Sequence, residues 1–153
     1  MVKLMDDEVF KAFTTYAAVV IIKMLLMAPM TAFYRFSRGE VDVSVLHCYA
    51  LSVHSLWLVF VMYLMLMLLL FRCHQNDLEN IVPFVVIALL YTLTGPSLSS
   101  ALLHFRVFAG SRIFHTLSYV CVLPQPCRAL SWMIGMLSTF SMAYRVLSSV
   151  LVL

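Results

Sequence analysis

Arg72-Cys73-His74-Gln75-Asn76-Asp77-Leu78-Glu79-Asn80, followed by Ile81-Val82-Pro83, is the most polar passage in a 153-residue chain that is apolar almost throughout. On a helix, positions 72, 76, 79 and 83 share one face, so Arg72, Asn76 and Glu79 would project together where an apolar helix begins. A cation, an amide and a carboxylate aligned in this way could hold a zwitterionic ligand. The same stretch also reads as a solvated helix start, with Asn76 or Asp77 capping free backbone N–H groups and the rest facing water.

The chain as a whole is 63% hydrophobic and 11% charged, with a mean hydropathy of +1.00. A soluble domain of this size does not have that composition, whereas a membrane protein does. The uncharged runs exceed the roughly 20 residues a spanning helix needs, and they lack the strict alternation of a barrel. The fold class expected is therefore an all-α transmembrane bundle, built as a single membrane-embedded domain over 1–153. A net charge of +3 comes from cations scattered between apolar runs, so nucleic-acid binding has no basis. Cys48, Cys73, Cys121 and Cys127 show no metal-ligand spacing; neither a metal site nor a disulfide framework is expected. Asp6, Asp7 and Glu8 precede the first apolar run without a cleavage motif, so that run is read as a retained anchor.

In chain order, the first run covers about 10–34, with Lys23 in its middle. A mid-span lysine is costly in lipid, so Lys23 is expected to face other helices or to snorkel. Arg35 and Arg38 follow the run, which places that end in the cytoplasm and the N-terminus in the lumen. After Asp42 no formally charged residue occurs until Arg72, and 55–71 is long enough to span. A single crossing there would leave Arg35 and Arg72 on opposite faces, about 30 Å of hydrocarbon apart, and no small ligand could touch both. The segment 39–71 therefore lies in the interface, bends back, or deprives the chain of a shared site. A second helix follows from Arg72 to the Thr94-Gly95-Pro96-Ser97 turn. A third run covers about 100–122 and contains Arg106 and Arg112; a last helix covers about 128–147, after Leu123-Pro124-Gln125-Pro126.

With four spans granted, alternating direction brings Arg35, the 72–79 strip, Tyr119 and Arg128 to one membrane face. Arg112, His115 and Tyr119, spaced i, i+3 and i+7, share a stripe on the third helix. Charged groups within a span face the bundle interior, so Arg106 and Arg112 read either as part of a site or as inter-helix ties to Glu79 or Asp77. His104 and His115 read more simply as packed helix residues. Such a cluster suits a ligand with an ionisable group, because an adjacent guanidinium favours the anionic form. Arg128, at a helix N-terminus whose dipole also favours anions, is the best placed. Its plainer reading is a charge that anchors topology.

The string His74-x-Asn76-Asp77-x-Glu79-Asn80 with Pro83 resembles the signature of the microsomal glutathione transferases, within the membrane-associated eicosanoid and glutathione metabolism (MAPEG) superfamily. Further matching stretches are Met5-Asp6-Asp7-Glu8-Val9-Phe10, Ala32-Phe33-Tyr34-Arg35, Leu103-His104-Phe105-Arg106, and the proline loop with Arg128-Ala129-Leu130-Ser131. The likeness covers 1–38 and 72–153. Segment 39–71 departs, since the family carries a polar, basic loop there. An altered transcript would explain so abrupt a join.

The resemblance implies a homotrimeric four-helix membrane bundle that conjugates glutathione to lipophilic electrophiles and reduces lipid hydroperoxides. Its membrane would be the endoplasmic reticulum or the outer mitochondrial membrane, with the site facing the cytosol. It implies thiolate stabilisation by Arg128 and glutathione binding by Arg35, Arg72, His74, Glu79 and Tyr119, supported by Asn76, Asp77 and Arg112. One of the family's paired arginines is replaced here by Phe71. The family's sensor cysteine does not carry over securely to Cys48, whose surroundings differ. The rival expectation is the same scaffold with a defective site, acting in lipid binding or subunit association.

Overall fold

The computed structural model describes the backbone of residues 7–48, 53–121 and 123–151, and within these all side chains except 34–48, 53–60, 62, 63 and 66. Four helices account for nearly all of it: α1 (Glu8–Cys48), α2 (Val53–Leu93), α3 (Leu98–Val120) and α4 (Gln125–Leu151). The all-α expectation holds. Within them Glu8–Phe33, Met67–Leu93 and Gln125–Leu151 are long and apolar enough to cross a membrane.

The register of the bundle follows from what each helix hides. Val9, Phe13, Ala17 and Val20 of α1 pack on Ile81, Phe84, Ala88 and Tyr91 of α2 and on Ala101, Phe105 and Phe108 of α3. Phe84 stacks on Phe108 with centroids 3.6 Å apart and meets Phe105 edge-on at 6.3 Å. Nearer the other end, Met27 closes on Leu70 and Cys73. The residues outside this core are themselves apolar, among them Leu25, Leu26, Leu89, Leu137 and Phe140. Apolar outside as well as inside is what hydrocarbon demands of a bundle.

Helix α3 carries Arg106 and Arg112, yet its 23 residues reach about 35 Å, enough for the hydrocarbon layer. Arg112 is fully buried, and Arg106 Nε donates to the Tyr16 hydroxyl at 3.0 Å. Arg112 keeps Nε and Nη2 buried without a protein partner, whereas Arg106 is exposed. Neither forms the expected tie to Glu79 or Asp77. Lys23 does face another helix, in an ion pair with the fully buried Asp77.

Three boundaries differ from the sequence reading. Helix α1 does not stop near residue 35 but runs to Cys48, and α2 begins at Val53 instead of Arg72. Residues 39–48 are therefore the end of one helix and 53–71 the beginning of the next, the two running antiparallel, and among the described residues no separate fifth helix crosses between Arg35 and Arg72. The pairings Lys23–Asp77 and Met27–Cys73 put position 35 level with about position 65, roughly 10 Å along the axis from Arg72. The third difference concerns the polar strip, which lies in mid-helix: Asn76 and Asp77 cap nothing and instead bond to α3 and α1. The Gly95 turn is as expected, with φ at 66°, a left-handed conformation that glycine adopts freely. The side chains of Arg35, His47, Cys48 and His54 lie outside the described residues.

Candidate functional site

At the end of the bundle where α3 gives way to α4, helices α2, α3 and α4 line an open cavity of about 510 Å³ bordered by Leu69, Arg72, Asn76, His115, Tyr119, Gln125, Arg128, Ala129 and Trp132. Helical spacing supplies each wall. Positions 69, 72 and 76 form one face of α2, 115 and 119 one stripe of α3, and 125, 128, 129 and 132 one face of α4. Pro126 lies in the first turn of α4, where its missing N–H costs nothing and its fixed φ starts the helix. Arg128 thereby sits one turn inside that end.

Two arginines dominate the charge of the cavity, and no lining residue is acidic. The Arg128 guanidinium carbon lies 5.0 Å from the centroid of the Tyr119 ring, a cation–π contact that holds the group over the cavity. The His115 ring approaches the same tyrosine, with centroids 5.0 Å apart. Arg128 Nε and His115 Nδ1 are buried without a protein partner. Behind this wall, Arg112 Nη1 donates to Asn76 Oδ1 at 2.9 Å and so fixes the amide that faces the cavity. With cations at the lining and aromatic and aliphatic side chains beside them, the arrangement can bind an anionic headgroup and place an apolar reactant against it.

Of the residues expected from the sequence, Arg72, Asn76, Tyr119 and Arg128 share this cavity. His74 and Glu79 are absent from its lining. His74 lies about 200° around α2 from Arg72, half-buried, with Nδ1 unpartnered. Glu79 continues the Arg72 face beyond the cavity, is exposed, and accepts from Gln75 Nε2 at 3.3 Å. Asp77 and Arg112 stand behind the cavity wall. His115, read more simply as a packed residue, lines the cavity; its stripe with Arg112 and Tyr119 was the available signal. Gln125 and Trp132 were not singled out. Only their spacing from Arg128, three positions before and four after, could have found them.

The profile of the MAPEG family matches residues 13–148. The chain belongs to the MAPEG family. Its bundle is accordingly a membrane helical bundle. Microsomal glutathione S-transferase 1 of Homo sapiens is 47% identical over 153 residues, covering 100% of this chain and 98% of that protein. The protein of the same name from Sus scrofa is 46% identical over 149 residues, covering 97% and 96%. Prostaglandin E synthase of Equus caballus is 39% identical over 75 residues, 49% of each chain. End-to-end coverage of the human protein leaves no room for a net inserted span, so 39–71 occupies a place that this relative also fills.

Proposed function

We propose that this protein is a membrane glutathione transferase that conjugates glutathione thiolate to lipophilic electrophiles. The observation that carries this reading is the cavity in which Arg72, Arg128, Tyr119, His115 and Asn76 converge at one end of an apolar bundle, in a chain similar to two proteins named for that activity. Arg72 pairs with a carboxylate of the tripeptide. Asn76 and Gln125 offer amide contacts, and Tyr119 donates a hydrogen bond near the sulfur. Arg128 stabilises the thiolate, and the helix dipole at the start of α4 adds to its field. Glu79, Arg35 and His74 bind glutathione as the family resemblance implies, Glu79 through the ammonium group.

The reaction needs no redox partner. The thiol releases its proton to water, and the thiolate sulfur bonds to the electrophilic carbon. From an aryl halide, the carbon–halogen bond then breaks and halide leaves. Greasy electrophiles partition into the bilayer beside Leu69 and Trp132, which raises their local concentration at the sulfur. The same thiolate supports peroxidase chemistry, in which two glutathione molecules reduce a lipid hydroperoxide to the alcohol and water and become the disulfide. Homotrimeric assembly, residence in the endoplasmic reticulum and outer mitochondrial membranes, and a cytosol-facing site complete the proposal.

Purified protein should conjugate glutathione to a chromogenic aryl halide, and Arg128→Ala should lose most of that rate while still binding glutathione. An unchanged rate in the variant would discard the role given to Arg128; an inactive wild type would favour the non-catalytic scaffold.

A further inference from the structure

A second polar cavity, of about 540 Å³, opens at the opposite end of the bundle between the start of α3 and the end of α4, its polar lining including Tyr91, Ser97, Ser100 and Arg145. Its one charged lining residue is Arg145, which has no acidic partner among the described residues. Half of the cavity's six lining hydroxyls spend their protons locally, Ser148 on the Arg145 carbonyl, Ser149 on that of Val146 and Thr94 on that of Tyr91, and Ser97 shares one with Ser99 at 3.4 Å. The donors left over are the guanidinium, one proton of the Tyr91–Ser100 pair, and the first turn of α3. There Ser97 makes no side-chain capping bond, and the first intrahelical bond is from Ala101 to the Ser97 carbonyl. The lining therefore offers donors around a cation and no anion.

Its depth identifies the ligand. From Arg128 to Arg145 along α4 is about 26 Å, close to the thickness of the hydrocarbon layer. The two arginine-lined cavities thus bracket the apolar belt, and Arg145 stands at the headgroup level of the second leaflet. Leu93, Leu98, Leu147 and Val150 are exposed around this end, where acyl chains would lie.

We propose that this cavity binds the phosphate of a phospholipid from the leaflet opposite the glutathione site. Arg145 makes charge-assisted bonds to the phosphate oxygens, the free N–H groups of the first α3 turn donate to them end-on, and the acyl chains run down the surrounding leucines.

The test uses full-length protein stripped of lipid in detergent. Phosphatidylglycerol in mixed micelles and, separately, inorganic phosphate are titrated against it, with thermal melting and native mass spectrometry of retained lipid as readouts. Wild type should retain phosphatidylglycerol and melt higher with it, and Arg145→Gln should weaken retention about tenfold. Aryl-halide conjugation should be unchanged in the variant, showing that it is folded. Should Arg145→Gln fail to fold, Ser148→Leu, which fills the cavity while keeping the charge, should lose lipid in the same way. Equal retention by wild type and variant would overturn the site. An equal shift with inorganic phosphate would overturn the lipid assignment.

Discussion

Arg128 is where the proposed chemistry concentrates, and its surroundings set the expected size of its effect. The guanidinium sits over Tyr119 in a cavity without an acidic lining residue, so no neighbouring carboxylate neutralises it there. Removal of one such stabiliser of developing charge costs about a hundredfold in rate. Arg128→Ala should therefore lower the conjugation rate by about that factor. The cation favours the thiolate, so its loss should also move the pH profile upward, toward the free-thiol value near 8.5. Stopped-flow spectra of the thiolate against pH check both points. A second position is fixed by space alone: a Cβ at Gly135 would lie 2.7 Å from Ser111 Oγ and 3.5 Å from Arg112 Nε. Gly135→Ala should thus destabilise the bundle by about 1–3 kcal/mol. Adding Ser111→Ala, which removes the clashing oxygen, should recover much of the loss in a thermal melt. At this scale the sequence showed the chemistry but not always the facing. Arg72 and Arg128 could be paired from helix order, whereas Glu79 and His74 could not be excluded from the cavity without knowing how α2 is rotated.

At the level of helices, the α1–α2 contact rests on an apolar stripe and on the ion pair between Lys23 and Asp77, the carboxylate being fully buried. Removing one partner leaves an uncompensated charge away from water. Lys23→Met or Asp77→Leu alone should each cost about 3–5 kcal/mol, and the double substitution should recover most of it. Unfolding of the four variants in detergent supplies the cycle. The same two helices show why the sequence misplaced their ends. Periodicity and charge made 10–34 and 100–147 legible, but between Asp42 and Arg72 no charge and no proline marks a boundary. An uncharged run of that length looks the same whether it crosses a bilayer or extends two paired helices. Proline was no guide either, since Pro29 and Pro83 lie inside α1 and α2. Single glycosylation reporters placed beside Arg35 and beside Arg72 should be modified together or not at all, because the antiparallel pair returns the chain to one end. Opposite modification would restore the extra crossing and remove the shared site.

For the whole molecule, the decisive fact is that Arg72 and Glu79 share one face of α2 while only Arg72 lines the protomer's own cavity. Glu79 is exposed within the Met67–Leu93 span, an expensive place for a carboxylate facing lipid. In a homotrimer that face would meet a neighbour, and the carboxylate would reach the glutathione held by the next subunit's Arg128. Closed cyclic symmetry makes every such contact alike. Glu79→Ala and Arg128→Ala homotrimers should each be nearly inactive. Co-expressed, they should regain activity in the mixed trimers, since closed three-fold symmetry gives every mixed trimer one site of its three with an intact Glu79 and an intact Arg128 from different chains. Conjugation rate per trimer, measured after purification through two different tags, reads this directly. Mixed trimers as inactive as their parents would mean that each subunit supplies its own carboxylate, and that α2 must rotate to bring Glu79 into the cavity.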